Sequence, residues 1–442
     1  MLIYVCLFAL ACGGILFEKY SKLDKKFKRV IVCSVMFLAL FFTFALRHQS
    51  MGIDLRYQDP KTGYLRSFEL ITGMPLKKVI FMESYQNYER GYIIFNKLVG
   101  MINPSRQFFM ACCAFCTIAP VAWTIYRRSE SPAFSFVVYM GIPYFLCIFS
   151  TLRQAIAVGL CFWAFSFVQG KKPLLFTVLV LLASTFHGTA LLFLAVYPAY
   201  HIRLSINLRW LSLFVLPFIY LNADILIEIA SVFINQISVG ESTGAINLFL
   251  IFCAIYAFCI TVMKNGGVKK RGYRNMLLNK DEEIPKQQGY LNIFWLACAM
   301  QAFSGVDNLA MRMAHYYMII LVLLLPSLIL HLPKGKLIVI KDASAEKETA
   351  LQTVPKRMDG LEYAHSKCRR FVKTGFAQAF VSVGRFFVGN KLARKIATLW
   401  RGHKKTILLW IIVLCFVISG LDGLAHTYWS MSYPYYFFWQ AV

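Results

Sequence analysis

Apolar runs recur along almost the whole chain, at residues 1–17, 30–46, 107–126, 133–150, 152–169, 174–186, 189–200, 210–222, 246–263, 290–305, 313–332 and 406–421. In hydrocarbon no water is present to pair a backbone N–H or C=O, so a buried run must satisfy its own backbone as a helix. At about 17–25 residues per spanning helix, the pattern predicts an all-α, polytopic integral membrane protein with about twelve transmembrane helices, several short or broken. Composition agrees, because 58% hydrophobic and only 15% charged residues do not give a soluble globule. No cleavable signal peptide is expected: Met1 leads at once into an apolar run to Phe17, with the basic residues on its far side.

A net charge of +26 invites a nucleic-acid partner, but its distribution favours membrane orientation. If Lys19, Lys22, Lys25, Lys26, Lys28 and Arg29 are cytoplasmic, both termini lie outside; the inner segments then hold 36 of the 47 Lys and Arg, the outer segments 11. Three regions follow: residues 1–332 as a transmembrane core with an outer loop over 47–106, a basic cytoplasmic segment over 333–405, and a last span with an aromatic outer tail over 406–442. Amphipathic stretches such as Phe371 to Leu392 fit an interfacial helix on anionic headgroups better than a partner-docking site. The tail aromatics, including Tyr433, Tyr435, Tyr436, Phe437 and Phe438, fit an interfacial belt better than a sugar platform. Cys112, Cys113 and Cys116 share one span without a nearby His or carboxylate, and are expected as packing residues rather than metal ligands.

Two cations stand out, Arg153 and Arg312, each in an apolar stretch at the expected outer face. A guanidinium near the bilayer requires an anion, a carboxylate or carbonyls, and its planar fork suits phosphate oxygens. Snorkelling from the start of a span is the alternative for Arg153, but Leu152 and the apolar run at 133–150 bury it on both sequence sides, which favours a functional role. The outer loop carries nine of the outer basic residues together with Asp54, Asp59, Glu69, Glu83 and Glu89. A long polar loop is a natural place for a site. Gly52 and Asp54 are also explained by an ordinary turn or helix cap. Residues 93–102 are too short for a crossing and suggest a re-entrant or interfacial helix.

The ordered set of Arg47, Gly52-x-Asp54, Tyr64 with Phe68, Glu89-x-Gly91-Tyr92, Arg153 ahead of Ala155 and Ala157, His187, and Arg312 with Tyr316 resembles the EpsG-type polysaccharide polymerases, which are Wzy-like membrane glycosyltransferases. The likeness spans most of the first 320 residues; the basic segment after them matches nothing recognisable. It implies a GT-C-like architecture in the bacterial inner membrane with its active face outside. The implied reaction moves a growing glycan from a polyprenyl diphosphate to the sugar hydroxyl of a second lipid-linked repeat unit. Donor and acceptor lipids and the bilayer are then the partners, with a chain-length regulator as a further one.

That chemistry implies roles for particular residues. Arg153 and Arg312, with Arg47 third, are expected to stabilise the leaving diphosphate without a metal or other cofactor. The acceptor hydroxyl needs a base, for which His187, Asp54, Asp307 and His315 lie on the expected face. His187 serves equally well as a structural residue closing the end of a span, and Asp54, close to Arg47 or Arg56, equally well orients the acceptor. Asn308, Arg312 and Tyr316 share a helix face and form either a substrate wall or a packing seam. Arg56, Tyr57, Tyr64 and Glu89 complete the expected binding set. Walker, dinucleotide, nucleophile-elbow and His-Glu-x-x-His patterns are absent. The competing classes are a membrane glycan ligase or acyltransferase, which shares the donor chemistry, and a flippase for the same lipid. A flippase often shows paired repeats and a polar path across the bilayer, and neither is evident.

Overall fold

The computed structural model describes residues 1–55, 63–82, 85, 87–231, 245–265, 285–304, 306, 308–330, 406, 408–423, 435–437 and 439. The chain divides into two compact units, residues 1–332 with 412–442, and residues 333–411. The expected interfacial helix near Phe371 lies outside the described residues.

Every named element is helical. In order the first ten helices are α1 (Leu2–Tyr20), α2 (Lys25–Ala45), α3 (Tyr64–Gly73), α4 (Leu76–Phe81), α5 (Arg90–Ile102), α6 (Arg106–Arg128), α7 (Pro132–Gly141), α8 (Tyr144–Ser150), α9 (Leu152–Val168) and α10 (Pro173–Ser184). Their ends follow local chemistry. The Asp24 carboxylate caps α2 by accepting from the Lys26 N–H, and the Ser105 hydroxyl caps α6 by accepting from the Phe108 N–H. Pro132 and Pro173 open α7 and α10, where a missing N–H is harmless.

Four helices are long and apolar enough to cross a membrane: α1, α2, α6 and Ile246–Met263. Two bent pairs raise the number to six, α7 with α8 at 75° and Met311–Met318 with Leu321–Leu330 at 43°. The break between α7 and α8 falls at Pro143, which cannot continue the hydrogen-bond ladder. Four of the remaining apolar runs form shorter helices, α9, α10, Ile206–Leu221 and Leu408–Gly423. The run at 189–200 departs further from a span. It folds as a 3-10 helix, Gly188–Ala195, followed by the short helix Val196–His201. The run at 290–305 lies largely within the 17-residue helix Lys286–Ala302. By length and composition, the described helices therefore support four to six crossings.

Helices α2, α6 and α9 connect the two ends of the first unit. At 1.5 Å per residue, the 23 residues of α6 extend about 35 Å, close to the hydrocarbon thickness of about 30 Å. Near its start, the Arg106 guanidinium meets the carboxylate of Glu69; near its end, Arg128 donates to the Ser166 carbonyl of α9.

The described residues of the 47–106 loop form a folded cap rather than an open loop. A 3-10 turn (Ile53–Leu55) and α3 to α5 share one core, in which Leu55, Tyr64, Phe68, Tyr92 and Val99 pack on Phe109 and Cys113 of α6 and on Leu152 and Ile156 of α9. Residues 93–102 belong to the 13-residue α5. Lys97, which bears charge inside this core, donates to the Thr72 and Met74 carbonyls at the end of α3 at 2.7 and 2.6 Å. The tail docks here too: Tyr435 donates to the Thr43 carbonyl at 2.7 Å, the His48 N–H to the Tyr436 carbonyl at 2.8 Å, and Phe437 pairs with Arg47. Tyr435 also lies edge-on to Tyr4 of α1, with ring centroids 5.9 Å apart. Tyr435, Tyr436 and Phe437 thus pack on protein, where two backbone partners hold them, while Tyr433 and Phe438 lie outside the described residues.

Candidate functional site

Glu89 is the hub of the polar cluster beneath the cap. It is the last residue before α5, and its carboxylate accepts at both oxygens. Oε2 receives the Arg153 Nη1 donor. Oε1 receives the Gly188 N–H at 2.9 Å and lies 3.2 Å from Nδ1 of His187. Residues 89, 153 and 187 reach this point from three separate segments: the start of α5, the first turn of α9, and the junction between α10 and the 3-10 helix. Gly91 permits the approach, since a Cβ there would stand 2.1 Å from the Thr185 hydroxyl oxygen. The Tyr92 N–H seals the contact by donating to the Thr185 carbonyl at 3.2 Å.

Arg153 is held by several groups besides Glu89. Its Nε donates to the Tyr64 hydroxyl at 3.4 Å, and Nη1 also donates to the Asn87 carbonyl at 3.3 Å. The guanidinium carbon sits 4.5 Å from the Tyr88 ring centroid and 6.0 Å from that of Tyr64. Asn87 adopts φ +58°, a left-handed conformation that asparagine tolerates better than most residues. Neither Asn87 nor Tyr88 was singled out by the sequence; the only available signal was their position just before Glu89. Nε and Nη1 are thus occupied, and among the described residues no hydrogen bond is made by Nη2.

Asp54 enters from the other side. Gly52 has φ +99°, and a Cβ there would lie 1.9 Å from the Phe149 carbonyl oxygen, so only glycine lets this turn pass under α8. The turn brings Asp54 into the field of Arg312 and Arg153. Burial pushes its carboxyl above the usual range, and the two arginines oppose that rise without cancelling it. Arg312 itself is exposed, and its backbone carbonyl is anchored by Gln154 Nε2 of α9 at 2.7 Å. Glu89 behaves in the opposite way. Burial favours its neutral form, yet hydrogen bonds from His187 and the Gly188 N–H and the charge of Arg153 outweigh burial and hold it at about 2. The Tyr64 phenol is pushed up to about 12 by burial.

The cluster therefore unites Asp54, Tyr64, Glu89, Arg153, His187 and Arg312. Tyr316 joins its border, where the Thr189 hydroxyl donates to the Tyr316 oxygen at 3.2 Å. Arg47 does not join it. Its guanidinium is buried against Phe44 and Phe149 and donates to the Ile148 carbonyl at 3.4 Å, so its work is to tie the cap to α8. The residue expected as a third donor to the diphosphate is thus not brought to the cluster. His315 is likewise buried, with its ring 6.0 Å from that of Tyr144. Arg56, Tyr57 and Asp307 lie outside the described residues, and Asn308 is described only as the first residue of its helix. Among the described residues no three His, Cys, Asp or Glu side chains are grouped to hold a metal ion.

This arrangement places a fixed guanidinium edge, an exposed arginine, an imidazole oriented by a carboxylate, and a second carboxylate at one end of an apolar helical bundle. The EpsG family model matches residues 30–340, which includes every member of the cluster. No curated protein and no solved structure matches the chain. With that match spanning most of its length, the chain belongs to the EpsG family, and is a polysaccharide polymerase-like membrane protein.

Proposed function

We propose that the protein transfers a growing glycan from a polyprenyl diphosphate to a sugar hydroxyl of another lipid-linked repeat unit, on the outer face of a bacterial inner membrane. The observation that carries this reading is the convergence of Arg153, Glu89 and His187 from three distant segments. The acceptor oxygen attacks the anomeric carbon, and the bond from that carbon to the diphosphate oxygen breaks. His187 takes the hydroxyl proton, with Glu89 on Nδ1 fixing the ring so that Nε2 faces the acceptor. Charge developing on the leaving diphosphate meets the Nη2 edge of Arg153 and the exposed Arg312, donors already in place before the reaction begins. Asp54, within the field of both arginines, orients the acceptor sugar.

The twelve-span, GT-C-like topology belongs to this proposal, with the shorter helices completing the crossings. It is supported by how segments assort. Residues from the expected outer segments meet one another in the cap, and Arg29, Arg127 and Lys286 from the expected inner segments meet at the far ends of α2 and α6.

The test is to mix the purified protein in lipid nanodiscs with its lipid-diphosphate repeat unit and a chelator, and to resolve the products on a gel. A ladder growing by whole repeats supports the reading. A single unchanged band despite proven substrate binding moves the assignment to transfer onto another acceptor or to transport.

A further inference from the structure

The end of the bundle away from the cap holds a cavity of about 510 Å³ that the proposed reaction does not use. Among the described residues, Lys25, Arg29, Arg127, Arg128 and Lys286 line it, with Glu130 as the one carboxylate. A general bias of positive charge toward one side of the membrane requires only that cations lie in those segments. It does not require the start of α2, the end of α6 and the start of the helix Lys286–Ala302 to converge on one cavity.

Local helix chemistry accounts for only part of the set. Arg127 and Arg128 close α6, where the macrodipole favours cations. Lys25 and Lys286 are the first residues of their helices, where the same dipole disfavours them. Two of the five are also clamped in place. Arg29 Nη1 donates to the Tyr126 carbonyl at 2.6 Å, and Arg128 donates to the Ser166 carbonyl. Each clamp uses part of a five-donor fork and immobilises the rest, so an anion arriving here meets oriented donors. Apolar surface adjoins the charge: Val30 and Ile31 are exposed one step beyond Arg29, and the exposed Trp123 ring lies 5.7 Å from the Arg127 guanidinium carbon.

We propose that this cavity binds the phosphate of an anionic phospholipid, with acyl chains lying along Val30, Ile31 and Trp123. Basic pockets between helix ends at a membrane surface suit such headgroups, and the bound phosphate relieves the mutual repulsion of five gathered cations. The proposal is independent of the glycan-transfer reading, because none of its residues belongs to the cap cluster.

The test uses the full chain in detergent, titrated with phosphatidylglycerol, phosphatidylcholine or inorganic pyrophosphate and followed by native mass spectrometry and thermal melting. Phosphatidylglycerol should bind and raise the melting temperature of the wild type. The double variant K25Q/K286Q, at two exposed positions, should bind it at least about tenfold more weakly, as should R127Q. A control double variant at the cap, K77Q/K78Q, removes the same charge and should keep the response. Equal losses in both double variants, or an equal response to phosphatidylcholine, overturn the proposal. Pyrophosphate alone reproducing the full stabilisation overturns the lipid source and assigns the cavity to a soluble anion. Melting temperatures without lipid identify a misfolded variant, in which case R127Q decides.

Discussion

Both ends of the bundle gather arginines, yet they treat the charge in opposite ways. Under the cap, Arg153 is matched by Glu89, flanked by Tyr64 and Tyr88, and shares its field with Asp54. Among the described residues lining the far cavity, five cations stand with one carboxylate, Glu18 also shares the field of Arg29, and the two clamped arginines are held by backbone carbonyls, which carry no charge to cancel theirs. A balanced cluster holds donors and acceptors in a set orientation and suits a step in which charge appears and a proton moves. An unbalanced one suits an anion that stays. What a cation does here is therefore told by its partners more than by its place in a polar segment.

The sharpest way to break this contrast is to remove the arginines of the cap cluster. Arg153→Ala should lower turnover by roughly 100-fold or more while the protein stays inserted, and Arg153→Lys should recover little because the fork is lost. Arg312→Ala should act in the same direction; wild-type ladders from both alanine variants would sink the diphosphate assignment. Next, His187→Ala should slow the ladder by roughly 100-fold with donor affinity preserved, as expected for a general base. A variant that merely melts earlier, at unchanged turnover, would show that His187 closes the α10 turn and nothing more.

Glu89→Gln tests the hub through pH. The folded carboxyl lies at about 2, below its ordinary 4.5, so its stabilisation is complete above the ordinary value and lost as pH falls through the folded one. The variant should accordingly lose less stability than wild type when melted across that acid range, and identical acid profiles would remove Glu89 from its hub position. Arg47→Met should be smaller still for chemistry: a lower melting temperature with the ladder retained, checked by melting and gel together. If Arg47→Met instead stops turnover in a folded protein, the contrast between structural and reactive arginines drawn here is misplaced. The smallest effect on the ladder is expected from K25Q/K286Q, which should leave polymer formation intact at saturating substrate.

Much of the site was legible before any contact was known. Arg153 and Arg312 stood out because a guanidinium in an apolar stretch demands a partner, and Glu89 and His187 belonged to the ordered set that resembled the family. Arg47 belonged to the same set and satisfied the same rule. Its partners turned out to be Phe44, Phe149 and a carbonyl, which no local pattern distinguishes from a substrate pocket. Asn87 and Tyr88 went unseen for the converse reason: one acts through its backbone carbonyl and the other through its ring face, and neither use leaves a mark in residue type. The run at 189–200 is apolar enough for a helix, and hydropathy is blind to the 3-10 winding found over Gly188–Ala195.

The sequence by itself determined the medium and the class of structure, since long apolar runs leave a backbone in lipid no stable form but helices that satisfy their own hydrogen bonds. It also determined the places where chemistry could reside, because each polar group kept near such runs requires compensation. Only the tertiary structure decided which groups compensate which. Glu89 meets Arg153 across 64 residues and His187 across 98, and those meetings depend on Gly91 resting against Thr185 and on a cap core built from α3, α5, α6 and α9. Pairing over such distances is set by packing of whole elements, a property that no single segment carries.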